Sequence, residues 1–164
     1  MDPVPADREK YGPVAPDLPF ECGTDGPRVI MVGVDGGAAA ERAGAYAGGL
    51  ARRQHAHLVV VFVAATSLCQ ALAPPGLSAA VEETVQELTE EMRRQVSQRA
   101  EELALPITFL CRRGAAAVEL ARVADELRAD MVVVGASRRG GHLLMGSVAR
   151  RLVRTGRWPV VVVP

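Results

Sequence analysis

The stretch MVVVGASRRGGHLLMGSV, residues 131–148, decides how the rest of the chain is interpreted. It begins with an apolar run, continues through a glycine-rich segment and ends where an amphipathic helix can start. A strand, a glycine-rich loop and a helix start in this order can bind phosphate, because glycines expose main-chain N–H groups and a helix N-terminus is electropositive. Arg138 and Arg139 add positive charge to the same segment. We therefore predict an anion-binding loop here.

The rest of the chain alternates apolar runs with helical patterns. The predicted strands are residues 28–34, 58–65, 107–111, 131–134 and 160–163, and the predicted helices are residues 38–54, a long one that Ser78 caps and Pro106 ends, 115–127 and 147–155. This β-α-β-α-β-α-β-α-β order predicts a parallel sheet with helices on both faces. In such sheets ligands bind beyond the carboxyl ends of the strands, where the winding direction reverses.

Two of the predicted strands end in loops suited to a ligand. The first strand runs into Asp35-Gly36-Gly37, and the fourth runs into the anion-binding loop. If these strands are neighbours, both loops line one crevice. We interpret Asp35 as a hydrogen-bond acceptor for a ribose or adenine; the alternative is a turn acid that caps the next helix. Ser147 is a candidate phosphate donor, a role compatible with capping its own helix.

Length and composition narrow the class of protein. A chain of 164 residues with 49% apolar residues forms one ordinary domain. The net charge of +0 argues against a nucleic-acid partner, and no apolar run approaches the ~20 residues that cross a membrane.

Residues 1–27 are rich in proline and show no helical or strand periodicity, so we predict a disordered tail before a folded domain at 28–164. The tail has no apolar signal segment, and three scattered cysteines suggest no disulfide framework, so we expect a cytoplasmic protein.

Catalytic and metal-binding patterns are weak. No Ser-His-Asp or Cys-His arrangement can be assigned roles, and no Walker motif is present, so we expect a protein without enzymatic activity. His55 and His57 form a His-x-His pair, but a zinc site needs three or four ligands. We therefore predict no metal site. The sequence around Gly33 also lacks the glycine spacing of a dinucleotide-binding dehydrogenase.

Several segments together resemble the universal stress protein family. They are Val32-Gly33-Val34-Asp35-Gly36 after the first strand, Val132-Val133-Val134-Gly135 with Gly146-Ser147-Val148, and Trp158-Pro159-Val160-Val161-Val162 at the end. The resemblance covers about residues 27–164. It implies an α/β fold of the adenine nucleotide alpha hydrolase-like kind, a five-stranded parallel sheet in the order 3-2-1-4-5, and a homodimer paired through the last strand.

The resemblance also implies a nucleotide site, because family members that bind ATP carry a Gly-x2-Gly-x9-Gly-Ser/Thr pattern. Gly135 fits its first glycine, Gly146 and Ser147 fit its last pair, and Arg138 occupies the second glycine position in a loop two residues shorter. If that position needed a positive φ, an arginine there would cost about 1 kcal/mol. Gly140 is the candidate replacement. By position, the resemblance assigns nucleoside contact to Asp35, adenine-flanking roles to Val34 and Val63, and the place after Ser147 to Val148.

The family resemblance thus implies a stress-response regulator that binds an adenine nucleotide, most naturally ATP with Mg²⁺ as its counter-ion, between the first and fourth strands. Two alternatives stay open at this point. One is a nucleotide-free dimeric interaction module of the same fold, and the other is a weak ATP hydrolase.

Overall fold

The computed structural model describes residues 8–13, 26–65, 75–139 and 142–164. In chain order the elements of this part are β1 (Arg8–Tyr11), β2 (Val29–Val34), α1 (Ala38–Gln54), β3 (His57–Ala65), α2 (Pro75–Leu103), β4 (Ile107–Gly114), α3 (Ala116–Glu126), β5 (Met131–Gly135), β6 (Ser137–Arg139), β7 (His142–Leu144), α4 (Ser147–Thr155) and β8 (Val160–Val163).

The main sheet has the strand order β1-β4-β3-β2-β5-β8. Strands β2, β3, β4, β5 and β8 are parallel, and their order confirms the predicted 3-2-1-4-5 arrangement. Val32 in the central strand lies opposite Val60 on one side and Val133 on the other. The winding direction reverses between β2 and β5, so the carboxyl ends of these two strands flank the place where such sheets bind ligands.

The prediction of five strands was wrong, because a sixth strand joins the sheet. Strand β1, inside the predicted disordered tail, pairs antiparallel with β4 and places Tyr11 opposite Ile107. Glu9 accepts hydrogen bonds from the Arg93 side chain at 2.5 and 2.6 Å and from the Tyr11 hydroxyl at 2.5 Å. These contacts attach β1 to both the sheet edge and α2. The other tail residues, 1–7 and 14–25, lie outside the described part, so the predicted domain division stays a prediction.

Each face of the sheet carries two helices. The buried apolar side chains of α1 and α2 pack with those of Ile30, Val32 and Phe109 on one face. Those of α3 and α4 pack with Met31, Val61 and Leu110 on the other. Since successive residues of a strand point to opposite faces, β2 contributes alternately to both layers. The central strands are therefore apolar throughout, as expected of parallel sheets.

Two helices differ from expectation in detail. Helix α1 is continuous through Gly48 and Gly49, because a row of buried small residues on one side lies against the sheet. Helix α2 begins at Pro75, so the predicted cap at Ser78 lies inside the helix instead. Proline is well tolerated in the first turn, where its missing N–H has no partner in any case. No helix within the described ranges is both long and apolar enough to cross a bilayer.

Candidate functional site

A narrow cleft of about 200 Å³ opens between the carboxyl ends of β2 and β5. Its apolar wall comes from β3 and from the first turns of α3, while α4 begins at the opposite side. The lining residues are Gly33, Val34, Asp35, Ala39, Ala40, Val61, Val63, Ala116, Leu120, Val134, Gly135, Ala136, Gly146, Ser147, Val148 and Ala149. Asp35 is the single ionisable side chain in this set. The described lining of the cleft is thus mostly apolar and carries one carboxylate.

The structure brings together most of the residues predicted from the sequence. The cleft is lined by seven of the nine, namely Val34, Asp35, Val63, Gly135, Gly146, Ser147 and Val148. Arg138 lies in β6, beyond β5. Gly140 lies outside the described residues. The role of each residue in binding stays a prediction, but their proximity follows from the strand order.

The start of α4 presents main-chain donors to the cleft. Gly146 is the N-cap residue, and no side chain caps the helix. The first helical bond runs from the Arg150 N–H to the Gly146 carbonyl at 2.9 Å, so the N–H groups of Ser147, Val148 and Ala149 have no acceptor within the helix. No acidic residue occupies the first turn. Among the described residues these three N–H groups have no acceptor, and donors at the positive end of a helix favour an anion.

The alternative role of Ser147 as a helix cap was wrong. Ser147 is the first residue of α4, and the preceding glycine takes the cap position with φ −59° and ψ 164°. A glycine cannot satisfy a donor with its side chain, so the first turn of α4 is left open toward the cleft. Ser147 itself is exposed.

Asp35 lies in the turn before α1, as the alternative interpretation predicted, but it does not cap the helix itself. Its Oδ1 accepts a hydrogen bond from the Gly37 N–H at 2.9 Å, which closes the turn before α1. Gly36, between them, has φ +82°, a value that favours glycine. Asp35 Oδ2 accepts no hydrogen bond from the described residues. The turn therefore fixes the carboxylate at the cleft through one of its two oxygens.

Gly135 is required by packing. A Cβ at this position would lie 2.6 Å from the Ala39 carbonyl carbon and 2.7 Å from its oxygen. The end of β5 therefore approaches the first turn of α1 more closely than any other residue type allows. This close approach also brings the two loops of the cleft together.

The segment after β5 forms a short hairpin instead of the predicted irregular loop. Strand β6 pairs antiparallel with β7, and Arg138 lies opposite Leu143. Because Arg138 lies in a strand, where the backbone is extended, the predicted cost of a left-handed arginine does not arise. The hairpin also explains how the shortened segment still connects β5 to the start of α4.

The wall formed by α3 was missed from the sequence. Ala116 and Leu120 line the cleft, and a Cβ at Gly33 would lie 2.9 Å from the Leu120 Cδ1. Gly33 lets the Leu120 side chain lie directly over β2. A glycine inside an otherwise apolar strand signals such a close approach, but it does not identify the partner.

The two histidines do not form a pair. His55 ends α1 with φ 53°, whereas His57 begins β3 and lies 2.8 Å from the Thr108 hydroxyl through its Nε2. The two histidines therefore lie in different elements. No group of three or more His, Cys, Asp or Glu side chains suited to a metal ion occurs in the described ranges.

Comparisons with known proteins agree with this architecture. A universal stress protein of Methanocaldococcus jannaschii is 28% identical over 136 residues, which span 82% of this chain and 80% of that protein. UspA from Lactobacillus plantarum superposes with a TM-score of 0.71 at 22% identity, covering 84% of this chain and 97% of that one. A universal stress protein solved in complex with cAMP superposes with a TM-score of 0.58 at 26% identity, with the same coverage.

The α/β sheet and its helices match the adenine nucleotide alpha hydrolase-like fold of these structures, with β1 as the additional strand. The model of the universal stress protein family matches residues 27–164, which is most of the chain. The protein therefore belongs to the universal stress protein family.

Proposed function

We propose that this protein binds an adenine nucleotide in the cleft between β2 and β5 and acts as a stress-linked regulator. ATP, with Mg²⁺ as the counter-ion of its phosphates, is the preferred ligand in this proposal. The adenine would lie against Val34 and Val63, the ribose would contact Asp35, and the phosphates would approach the start of α4. Arg138 and Gly140 of the connecting segment would complete the phosphate end. We expect the protein to act in the cytoplasm and without turnover.

The observation that carries this proposal is the uncapped start of α4 in the same cleft as Asp35. The helix start supplies three N–H donors that have no partner in the described part of the chain, and the Asp35 turn supplies an acceptor. An apolar slot lies between them. Donors for phosphate, an acceptor for hydroxyls and an apolar surface for a base are the three chemical requirements of a nucleotide site.

The comparison with a cAMP-bound relative supports the same ligand class. That protein shares the fold and 26% of aligned residues, and it binds an adenine nucleotide. The cleft volume of about 200 Å³ is below the ~300–1,000 Å³ typical of pockets that enclose a whole ligand. We therefore expect the base to enter the cleft while the phosphates lie outside it, at the solvent-exposed start of α4.

Isothermal titration calorimetry with ATP, ADP, AMP and cAMP tests the proposal. Asp35→Asn keeps an oxygen that can accept from Gly37 but replaces the ligand-facing oxygen, whereas Asp35→Ala removes both. Loss of a charge-assisted hydrogen bond should weaken binding by about tenfold or more in each variant. Gly146→Trp should abolish binding by covering the helix start.

Gly44→Trp is the matched control for added bulk, because a Cβ at Gly44 meets nothing within 4 Å. It should bind like the wild type. Absence of heat with every nucleotide at millimolar concentration would overturn the nucleotide proposal. Turnover of ATP above the buffer rate, with magnesium present, would support the weak hydrolase instead.

The nucleotide-free dimeric module is a second candidate, and the edge strand β8 favours dimerisation in either case. Pro159 and Val163 direct their carbonyls to β5, since these accept from the N–H groups of Val132 and Ala136. Main-chain N–H and C=O groups of successive residues point to opposite sides of a strand. The N–H of Val162 therefore faces the open edge of the sheet. We propose that two copies pair through this edge.

Light scattering tests the dimer with two substitutions at one position. Val162→Pro removes the outward N–H and should yield monomers, while Val162→Ala loses similar packing but keeps the N–H and should stay dimeric. A wild-type protein that is monomeric at all concentrations would contradict the dimer. A dimer that binds no nucleotide would support the interaction module.

A further inference from the structure

Helix α4 carries an unusual cluster of positive charge on one face. Arg150, Arg151 and Arg154 are all exposed and recur at the spacing of one helical turn. Together with Ser147 and Thr155 they line a surface hollow of about 520 Å³. We call this surface the arginine hollow. Its floor is one side of a nine-residue helix whose opposite side packs Ala149 and Leu152 into the core.

These arginines lack the carboxylates that accompany several other arginines in the described part of the molecule. Arg93, Arg113 and Arg157 each pair with an acidic side chain. Within the described ranges, no carboxylate oxygen lies within 4.0 Å of a guanidinium nitrogen of the hollow. Three like charges on adjacent turns repel one another, so an anion bound among them would relieve the repulsion.

Compensation of the helix dipole does not account for the cluster. Cations are favourable near a helix C-terminus, and Arg154 lies in the last turn of α4. Arg150 and Arg151 are the fourth and fifth of its nine residues, outside the last turn where the dipole favours cations. Their position is instead favourable when a negative group lies at the helix start.

The hollow adjoins the cleft at Ser147. Ser147 lines both, with its N–H among the free donors at the start of α4. With a rise of about 1.5 Å per residue, Arg151 is about 6 Å and Arg154 about 10 Å further along the helix axis. A chain of linked phosphates that leaves the cleft at Ser147 therefore enters the arginine hollow.

We propose that the arginine hollow binds the outer part of the phosphate chain, so that the protein selects adenine nucleotides with three or more phosphates over AMP. This inference rests on the proposed nucleotide function of the cleft and adds a ligand class to it. The inner phosphate is held by the N–H groups of α4, and the outer phosphates are held by guanidinium groups through charge-assisted hydrogen bonds.

Calorimetry on the full chain with AMP, ATP, adenosine tetraphosphate and inorganic tripolyphosphate tests the inference. The variant is the triple substitution Arg150→Gln, Arg151→Gln and Arg154→Gln, which keeps helix-forming residues. The control is Arg52→Gln, Arg53→Gln and Arg128→Gln, which changes the net charge equally at the opposite ends of the strands. Arg52 and Arg53 end α1, and Arg128 precedes β5.

In the wild type, affinity should rise from AMP to ATP to the tetraphosphate. The triple variant of the hollow should bind ATP about tenfold more weakly, a change of about 1.4 kcal/mol, while its affinity for AMP stays within about twofold. The control should bind both nucleotides like the wild type. This pattern would support the arginine hollow as the outer phosphate site.

Failure of the arginine hollow and failure of the nucleotide site would give different results. Equal affinity for AMP and ATP in the wild type, or equal losses in the two triple variants, would overturn the arginine hollow while leaving the nucleotide site intact. Absence of AMP and ATP binding would refute the nucleotide proposal itself. In that case, tripolyphosphate binding that disappears in the hollow variant alone would still support the hollow, and its absence in the wild type would overturn it.

Discussion

Replacing Gly135 by alanine is a sharp test of how the cleft is assembled. The added Cβ would lie 2.6 Å from the Ala39 carbonyl carbon, 2.7 Å from its oxygen and 2.9 Å from its Cβ. Two of these three atoms belong to the backbone of α1, so relief requires a shift of the helix. Overpacking of this kind costs about 1–3 kcal/mol, and a rigid neighbour favours the upper part, about 2–3 kcal/mol. For a domain of this size, the melting temperature should fall by about 4–12 °C.

Thermal and urea unfolding of the two proteins provide the measurement. Gly44→Ala is the matched control, because it adds the same methyl group within α1 where nothing lies within 4 Å. It should stabilise the protein by about 0.5–1 kcal/mol. Adding Ala39→Gly to Gly135→Ala should recover only part of the loss, since the backbone contacts persist. A Gly135→Ala protein as stable as the wild type would refute the close packing of β5 against α1.

Three further predictions concern the turn and the additional strand. Contact with Arg93 holds the pKa of Glu9 below its usual range despite partial burial, so Glu9→Gln should cost up to about 1 kcal/mol near neutral pH. A lowered folded pKa gives stability that is fully present above the unfolded pKa and is lost as the pH falls through the folded pKa. The difference from wild type in urea unfolding should therefore shrink once the pH falls below the ordinary glutamate value of 4.5 and vanish below the lowered pKa of Glu9; a difference independent of pH would contradict the ion pair. Burial and the Glu9 hydrogen bond raise the pKa of Tyr11 to about 12, so in an ultraviolet titration its phenolate should form later than that of free tyrosine, and Glu9→Gln should shift its ionisation toward lower pH. Gly36→Ala should cost about 1–2 kcal/mol in thermal unfolding because φ there is +82°, and an unchanged melting temperature would argue against that turn.

The strand order of the main sheet could be predicted because local patterns and topology agree. The valine-rich runs of β3 and β5 are buried on both faces, and the predicted long helix packs apolar side chains such as Met92 and Val96 into the core. The alternation of strands and helices predicts a parallel sheet, and the family resemblance implies its strand order. The strand–helix pattern depends on residues close in sequence, and the family resemblance depends on motifs in a fixed order, so both can be recognised without a structure.

Strand β1 was missed for a physical reason. Arg8–Tyr11 has four residues, three of them charged, and no apolar alternation. It is held by pairing with β4 and by the contact between Glu9 and Arg93, which is 84 positions away. Edge strands are stabilised by such distant partners, so a local pattern does not reveal them.

In the candidate site, too, motifs predicted which residues lie together, whereas distant contacts determine why some of them are needed. Asp35, Gly146 and Ser147 were identified from motifs, and the sheet brings them into one cleft. The reasons for individual residues were less predictable. Gly135 was interpreted as a phosphate-loop glycine, yet its contact with Ala39 requires a glycine even without ligand. Arg138 was interpreted as a departure from the family pattern, yet in β6 it carries no conformational cost.

The most direct test of the account is an amide NMR titration with ATP. Nucleotide binding in the cleft predicts the largest amide chemical-shift changes in the first turn of α4, at Ser147, Val148 and Ala149. Smaller changes should follow at Asp35 and Val63. Amides at the opposite ends of the strands, such as those of His55 and Arg128, should not move. Saturable shifts that leave the start of α4 unchanged, or no shifts at millimolar ATP, would contradict nucleotide binding in the cleft between β2 and β5.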